Sequence, residues 1–204
     1  IGAKDATATD ATGDLTLGST KGAKLVQAGA TASAITAGGT LKIEGSYGEK
    51  TVSYGAKSTA KDVAALVNAQ TEFTGVSASA RTEVQLDSFT SGSYTLDVAS
   101  NNAYDAPVTI SFKVTANNAE GLSAAVKAFN DVSSKTGVTA RVNEKGDGII
   151  LVNDSGEDIK LKNKSVAASA FTLHHANDKT TSMAGGGTAI AGAGTSATFT
   201  VVTG

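Results

Sequence analysis

A passage that occurs twice constrains this chain more than any other feature: a short stretch at helical spacing, then Thr-Gly-Val, then an alternating segment. The first copy runs Lys61-Asp62-Val63-Ala64-Ala65-Leu66-Val67-Asn68-Ala69 and leads to Thr74-Gly75-Val76-Ser77-Ala78-Ser79-Ala80. The second runs Glu120-Gly121-Leu122-Ser123-Ala124-Ala125-Val126-Lys127-Ala128-Phe129-Asn130 and leads to Thr136-Gly137-Val138-Thr139-Ala140-Arg141-Val142. Matching 63–69 to 122–128 offsets the two Thr-Gly-Val units by about three further residues, which reads as a small insertion in the helix-to-strand turn. Such a duplication argues for a chain assembled from repeated supersecondary pieces.

The 204 residues suffice for a real core, but much of the 40% hydrophobic content is alanine. With no Trp, six Phe and four Tyr, and about 1.5–3 kcal/mol for each large apolar side chain fully buried, one or two small sandwiched units of modest stability are expected. The 23 glycines and the abundant Ser and Thr point to turns and exposed strands. Basic and acidic residues number 17 and 19, for a net charge of -2, which attracts neither nucleic acid nor an anionic membrane. No apolar run of about 18 residues occurs, as a membrane helix would need. The start, Ile1-Gly2-Ala3-Lys4-Asp5, lacks the features of a secretory signal and an initiator Met, so an excised or processed chain is expected. With no cysteine, disulfides and thiol chemistry are excluded.

The first forty residues are dilute, with Leu15, Leu17, Leu25, Val26 and Ile35 as isolated apolar positions. From Leu41 the pattern tightens: Leu41-Lys42-Ile43-Glu44, a turn over 45–48 and Lys50-Thr51-Val52-Ser53-Tyr54 predict a hairpin. Ser58 or Thr59 is placed to cap a helix whose stripe is Val63, Leu66 and Val67. Alternation returns over 76–86, and again over 93–98 after a Ser91-Gly92 turn, so the first copy reads strand, strand, helix, strand. The second opens with Val108-Thr109-Ile110-Ser111-Phe112-Lys113-Val114, just after the single proline, Pro107. Asn117 or Asn118 is the expected cap of a helix with Leu122, Ala125, Val126 and Phe129 on one face. That helix is too short to stand alone and must pack on a sheet. Turns at 145–148 and 153–156 separate Ile149-Ile150-Leu151-Val152 from Ile159-Lys160-Leu161. Phe171, Leu173, Ile190 and Phe199-Thr200-Val201-Val202 are the strand residues of the closing segment, and Gly185-Gly186-Gly187 reads as a loop. The fold class is α+β, mostly β: small antiparallel sheets, each packed by one short helix.

Chemistry is sparse. His174 and His175 are adjacent, and neighbours on a strand point to opposite faces, so they do not readily share a metal. The clusters Asn143-Glu144-Lys145-Gly146-Asp147-Gly148 and Asn153-Asp154-Ser155-Gly156-Glu157-Asp158 offer oxygens, but lack calcium-loop spacing and sit where turns require such residues. No nucleophile elbow, phosphate loop or zinc-protease motif occurs. No catalytic, cofactor-binding or metal residue is therefore assigned, and no enzyme is expected. Two Asn-x-Ser sequons, Asn153-Asp154-Ser155 and Asn163-Lys164-Ser165, are formal acceptors for N-linked sugar.

The duplicated unit, 60–80 and again 121–140, resembles the insertion motif of bacterial flagellins, and Gly148-Ile149-Ile150-Leu151-Val152-Asn153-Asp154-Ser155-Gly156-Glu157-Asp158-Ile159-Lys160-Leu161 is similar to that motif's closing strands. The likeness spans 41–162, and related insertions occur in filament-cap and hook-junction proteins. The long amphipathic end helices of flagellins have no counterpart here. The resemblance implies the central, variable, surface-exposed part of a flagellin: structural, non-catalytic, extracellular, exported unfolded, contacting neighbouring subunits, and open to glycans, antibodies or host surfaces. The isolated fragment is expected to be monomeric. The alternatives are an outer domain of the cap or hook-junction protein and a secreted adhesin or S-layer module, whose glycan contacts would involve Tyr47, Tyr54, Tyr94 or Tyr104. The expected layout is tandem repeats over 40–98 and 99–162, with 1–39 and 163–204 forming a β-rich base.

Overall fold

The computed structural model describes residues 6–8, 15–17, 25–28, 35, 37–175, 188–192 and 199–203. Three short strands come first: β1 (Ala6–Ala8), β2 (Leu15–Leu17) and β3 (Leu25–Ala28). Strands β4 (Gly39–Gly45) and β5 (Gly48–Tyr54) form the predicted hairpin around Ser46-Tyr47, with Leu41 opposite Val52 and Ile43 opposite Lys50. Helix α1 (Ala60–Asn68) starts at Thr59, whose hydroxyl accepts the Asp62 N–H while the Asp62 carboxylate accepts the Thr59 N–H. This reciprocal cap satisfies two otherwise orphaned donors. A single turn, α2 (Thr71–Thr74), follows and ends at Gly75 in the left-handed region, φ 73°. Both helices lie against the hairpin, burying Ile43, Val63, Val67 and Thr74.

Most of the other described elements build one larger body. It comprises β6 (Thr82–Asp87), β7 (Gly92–Ala99), β8 (Val108–Val114), α3 (Ser123–Asp131), α4 (Ser133–Thr136), β9 (Thr139–Val142), β10 (Gly148–Asn153), β11 (Ile159–Asn163), β12 (Phe171–His175), β13 (Thr188–Ile190) and β14 (Phe199–Thr203). Two five-stranded sheets result, ordered β13-β12-β6-β10-β9 and β3-β14-β11-β7-β8, and every pairing is antiparallel. Alternation explains the split of faces: Val84 and Leu86 on β6, Ile149 and Leu151 on β10, Tyr94, Leu96 and Val98 on β7 and Ile110, Phe112 and Val114 on β8 enter one shared core. The few aromatics are concentrated there. Phe171 stacks on Phe89 (5.3 Å), Phe89 meets Tyr94 edge-on (5.6 Å), Tyr94 stacks on Phe112 (5.3 Å) and Phe112 reaches Phe129 of α3 (6.2 Å). Helix α3 packs against β8 of one sheet and β9 of the other, with Leu122, Ala125 and Phe129 fully buried and Val126 half-buried. Asn118 accepts the Gly121 N–H in the turn that leads into it.

The fold is α+β and mostly β, as the alternation indicated. Several details differ from expectation. Residues 76–81 alternate in burial but form no strand, and β7 is the hairpin partner of β8 rather than the end of the first unit. The boundary expected at 98/99 falls at the end of β7, between the two strands of this hairpin. Strand β3 pairs with β14, and β12 with β6, so these strands extend the two sheets of the sandwich. Residues 176–187, including Gly185-Gly186-Gly187, fall outside the described residues.

Candidate functional site

The passage that occurs twice is the feature the sequence marks most strongly, and its helix-to-strand geometry repeats at a constant interval of 62 residues. In the first unit the Asn68 side chain clips the backbone of Ala78: Nδ2 donates to the Ala78 carbonyl (2.8 Å) and Oδ1 accepts its N–H (2.7 Å). In the second, Asn130 clips Ala140 in the same way, at 2.9 and 2.8 Å. The Thr74 hydroxyl donates to the Gln70 carbonyl and accepts the Val76 N–H; the Thr136 hydroxyl does the same with Val132 and Val138. Gly75 and Gly137 end the second helical turn at φ 73° and 70°, and their N–H groups bond to Thr71 and Ser133. The buried helix positions, Val63 and Val67 against Ala125 and Phe129, keep the same interval.

This corrects the proposed insertion between the copies. Matching Val63 to Leu122 aligns apolar residues, but the structure matches Val63 to Ala125, and no extra residues separate helix from strand. The overlooked signal was polar: Asn, then five residues, then Thr-Gly-Val-x-Ala, read at both 68–78 and 130–140. An asparagine ten residues ahead of the alanine it clips fixes the interval, whereas apolar helix positions can exchange by one turn with little change in pattern.

The units differ in what surrounds them. In the second, the hairpin β7–β8 continues into β11, and β9 into β10. In the first, β4–β5 is a two-stranded sheet. Its turn exposes Tyr47 (76%), with Phe73 (54%) on α2 capped by the Lys50 ammonium 4.6 Å from the ring centroid. Lys42 bonds to Glu44 and Glu49, both at 2.7 Å, and these carboxylates raise its pKa above the ordinary lysine value. Lys61 reaches Glu157 on the turn between β10 and β11 (3.0 Å), which also raises its pKa, and its N–H donates to Gly156. On the sandwich, both arginines converge on Glu83: Arg81, just ahead of β6 (3.1 Å), and Arg141 from β9 (3.2 Å). The Arg141 bridge spans β10 on the face where Ile150 and Val152 lie, and both are nearly buried.

The residues with chemical potential take structural places. Asn143 and Asp147 close their turn on each other, Nδ2 to Oδ1 at 2.8 Å. Both sequon asparagines are 1% exposed. Asn153 donates to Ser100 and Asn101, and Asn163 to the carbonyls of Ser169 and Ile190, so the folded chain presents neither amide for a sugar. Tyr94, considered above as a glycan contact, is buried: its hydroxyl donates to Thr90 and Ala170, and burial raises its pKa. Tyr47 and Tyr104 are exposed and Tyr54 is half-buried. The β12 backbone sets His174 opposite Gln85 and His175 opposite Val84. Among the described residues, no three His, Cys, Asp or Glu side chains gather as metal ligands, and no helix is long and apolar enough to cross a membrane.

No curated protein matches the chain. Residues 40–102, spanning β4 to the end of β7, match the family described as Flagellin hook IN motif. That match, which covers β4, β5, α1, α2, β6 and β7, supports a flagellin-related protein with a structural role.

Proposed function

We propose that this chain is the outward-facing, non-catalytic domain of a bacterial flagellar filament subunit, in the variable central region, and that its second unit is another copy of the matched motif. The observation that carries the second copy is the clip and cap geometry recurring at 62 residues, Asn68–Ala78 and Asn130–Ala140. The match over 40–102 supports the flagellar context. On this reading the domain is extracellular, coats the filament and offers an antigenic surface. Because both sequon asparagines are buried, any glycan sits on exposed Ser or Thr. The polar outer turns serve display, while the aromatic core serves folding after unfolded export.

Immunogold labelling with antibodies raised against the chain tests the proposal on intact cells. Labelling along the whole filament is expected. Gold confined to the filament tip or to its base would transfer the domain to a cap or junction protein. Gold on the cell surface with bare flagella would replace the reading by an adhesin or S-layer module.

A further inference from the structure

The second unit shows what the first unit lacks. On β9 the groups of Ala140 are taken by Asn130, whereas Thr139 and Arg141 stand opposite Val152 and Ile150 of β10. The equivalent segment of the first unit, 76–80, is held by the same clip on Ala78. Val76, Ala78 and Ala80 are half-buried, and Ser77 and Ser79 are exposed. Among the described residues, the backbone groups of Ser77 and Ser79 make no hydrogen bond. Alternation directs them away from Asn68, to the side that β10 occupies in the second unit. Among the described residues, the segment is thus an extended edge with no partner strand. An edge of that kind is a template for strand addition.

We propose that residues 76–80 are a docking edge for a second copy of this chain, pairing antiparallel with the same segment across a two-fold axis. The sequence suits a two-fold centred on Ala78: Ser77 falls opposite Ser79 of the second copy, Ala78 opposite Ala78, and Val76 opposite Ala80. This places the two unbonded serines in the hydrogen-bonded pairs and the already clipped alanine in the non-bonded pair, as in β9–β10. Small side chains on both strands permit the approach. Five residues a side bury far less than the ~1,000 Å² of a stable interface, so the contact forms at high local concentration and the dilute chain stays monomeric. It depends on the chain alone, so its fate is separate from that of the filament reading.

Residue-resolved amide exchange on the whole chain, from micromolar to about millimolar concentration, tests it. Ser77 and Ser79 are expected to exchange unprotected when dilute and to slow at least about ten-fold when concentrated, with Ala78 unchanged. Ser77→Glu/Ser79→Glu sets like charges opposite each other and should abolish the effect. Ser77→Lys/Ser79→Glu sets opposite charges across the two-fold and should shift it to lower concentration; both positions are exposed, so neither pair of changes disturbs a buried side chain. Protection already present in the dilute chain, protection absent at millimolar concentration, or equal behaviour of the two double variants would overturn the proposal. So would protection that appears only on adding a peptide of sequence 147–154, which would assign the edge to a foreign strand.

Discussion

Removing the clip in each unit separately gives the sharpest measure of what the repeat contributes. Asn130→Ala deletes two hydrogen bonds, to a carbonyl and an N–H of Ala140, a residue only 8% exposed. A typical bond contributes about 0.5–1.5 kcal/mol net, and a buried group left unpaired costs about 1–3 kcal/mol. Some relaxation is expected at this edge strand, so the total should be about 2–4 kcal/mol. Asn68→Ala breaks the same two bonds at a half-buried alanine, where water replaces the lost partners, and should cost only about 0.5–1.5 kcal/mol. Asn130→Asp keeps the acceptor but points a carboxylate at the Ala140 carbonyl. It should be as damaging as alanine near neutral pH and partly recover below the ordinary carboxyl range of about 4, where a protonated acid can donate. Urea unfolding followed by far-UV circular dichroism reads all three, since stability changes appear as midpoint shifts at constant slope. A cost below about 0.5 kcal/mol for Asn130→Ala, or a cost for Asn68→Ala as large, would show that the shared geometry does not hold the second unit in place.

Phe129→Ala, fully buried between β8 and β9, should cost about 3–5 kcal/mol, whereas Phe73→Ala, more than half exposed, should stay within about 0.5 kcal/mol in the same urea assay. Gly137→Ala forces a left-handed residue, about 1–2 kcal/mol, and sets its Cβ 2.2 Å from Asn101 Nδ2, whose carboxamide also bonds Asn153; it should exceed Gly75→Ala, whose new Cβ meets the freer Ser46 hydroxyl at 2.9 Å. Tyr94 has a raised pKa in the fold, so it favours the native state at pH below about 10 and withdraws that support as pH climbs through its native value. An alkaline titration read by phenolate absorbance, free of Trp, should show the Tyr94 phenolate appearing only together with loss of the β signal; complete phenolate formation while the β signal is intact would contradict its burial.

Periodicity exposed most elements because each has one wet face. Val108-Thr109-Ile110-Ser111-Phe112-Lys113-Val114 alternates on a half-buried edge strand, and Leu122, Ala125 and Phe129 recur on a helix seated between two sheets. What alternation cannot carry is partnership. Nothing in residues 92–99 says whether they close the first unit or open the second, since either pairing buries Tyr94, Leu96 and Val98. The aromatic spine has the same character: Phe89 and Phe171 are separated by most of the sandwich in sequence and stack at 5.3 Å. The segment 76–81 misled for the opposite reason. Its pattern is that of a strand, but a strand also needs a neighbour to bond.

Comparing the two units separates local instruction from tertiary context. The residues shared at the 62-residue interval are Asn, Thr, Gly, Val and Ala, those that cap, clip and turn the backbone. The residues that differ face the surroundings: Val67 against Phe129 under the sheets, Ser79 against Arg141 above β10, Phe73 against Lys135 at the surface. Local hydrogen bonds therefore give the same shape to a unit resting on its own hairpin and to one built into a sandwich. A module specified in that way can be duplicated and then re-surfaced without being refolded, because each exchange at Phe73 or Ser79 leaves Asn68, Thr74 and Gly75 untouched. Variation and stability then fall on different residues.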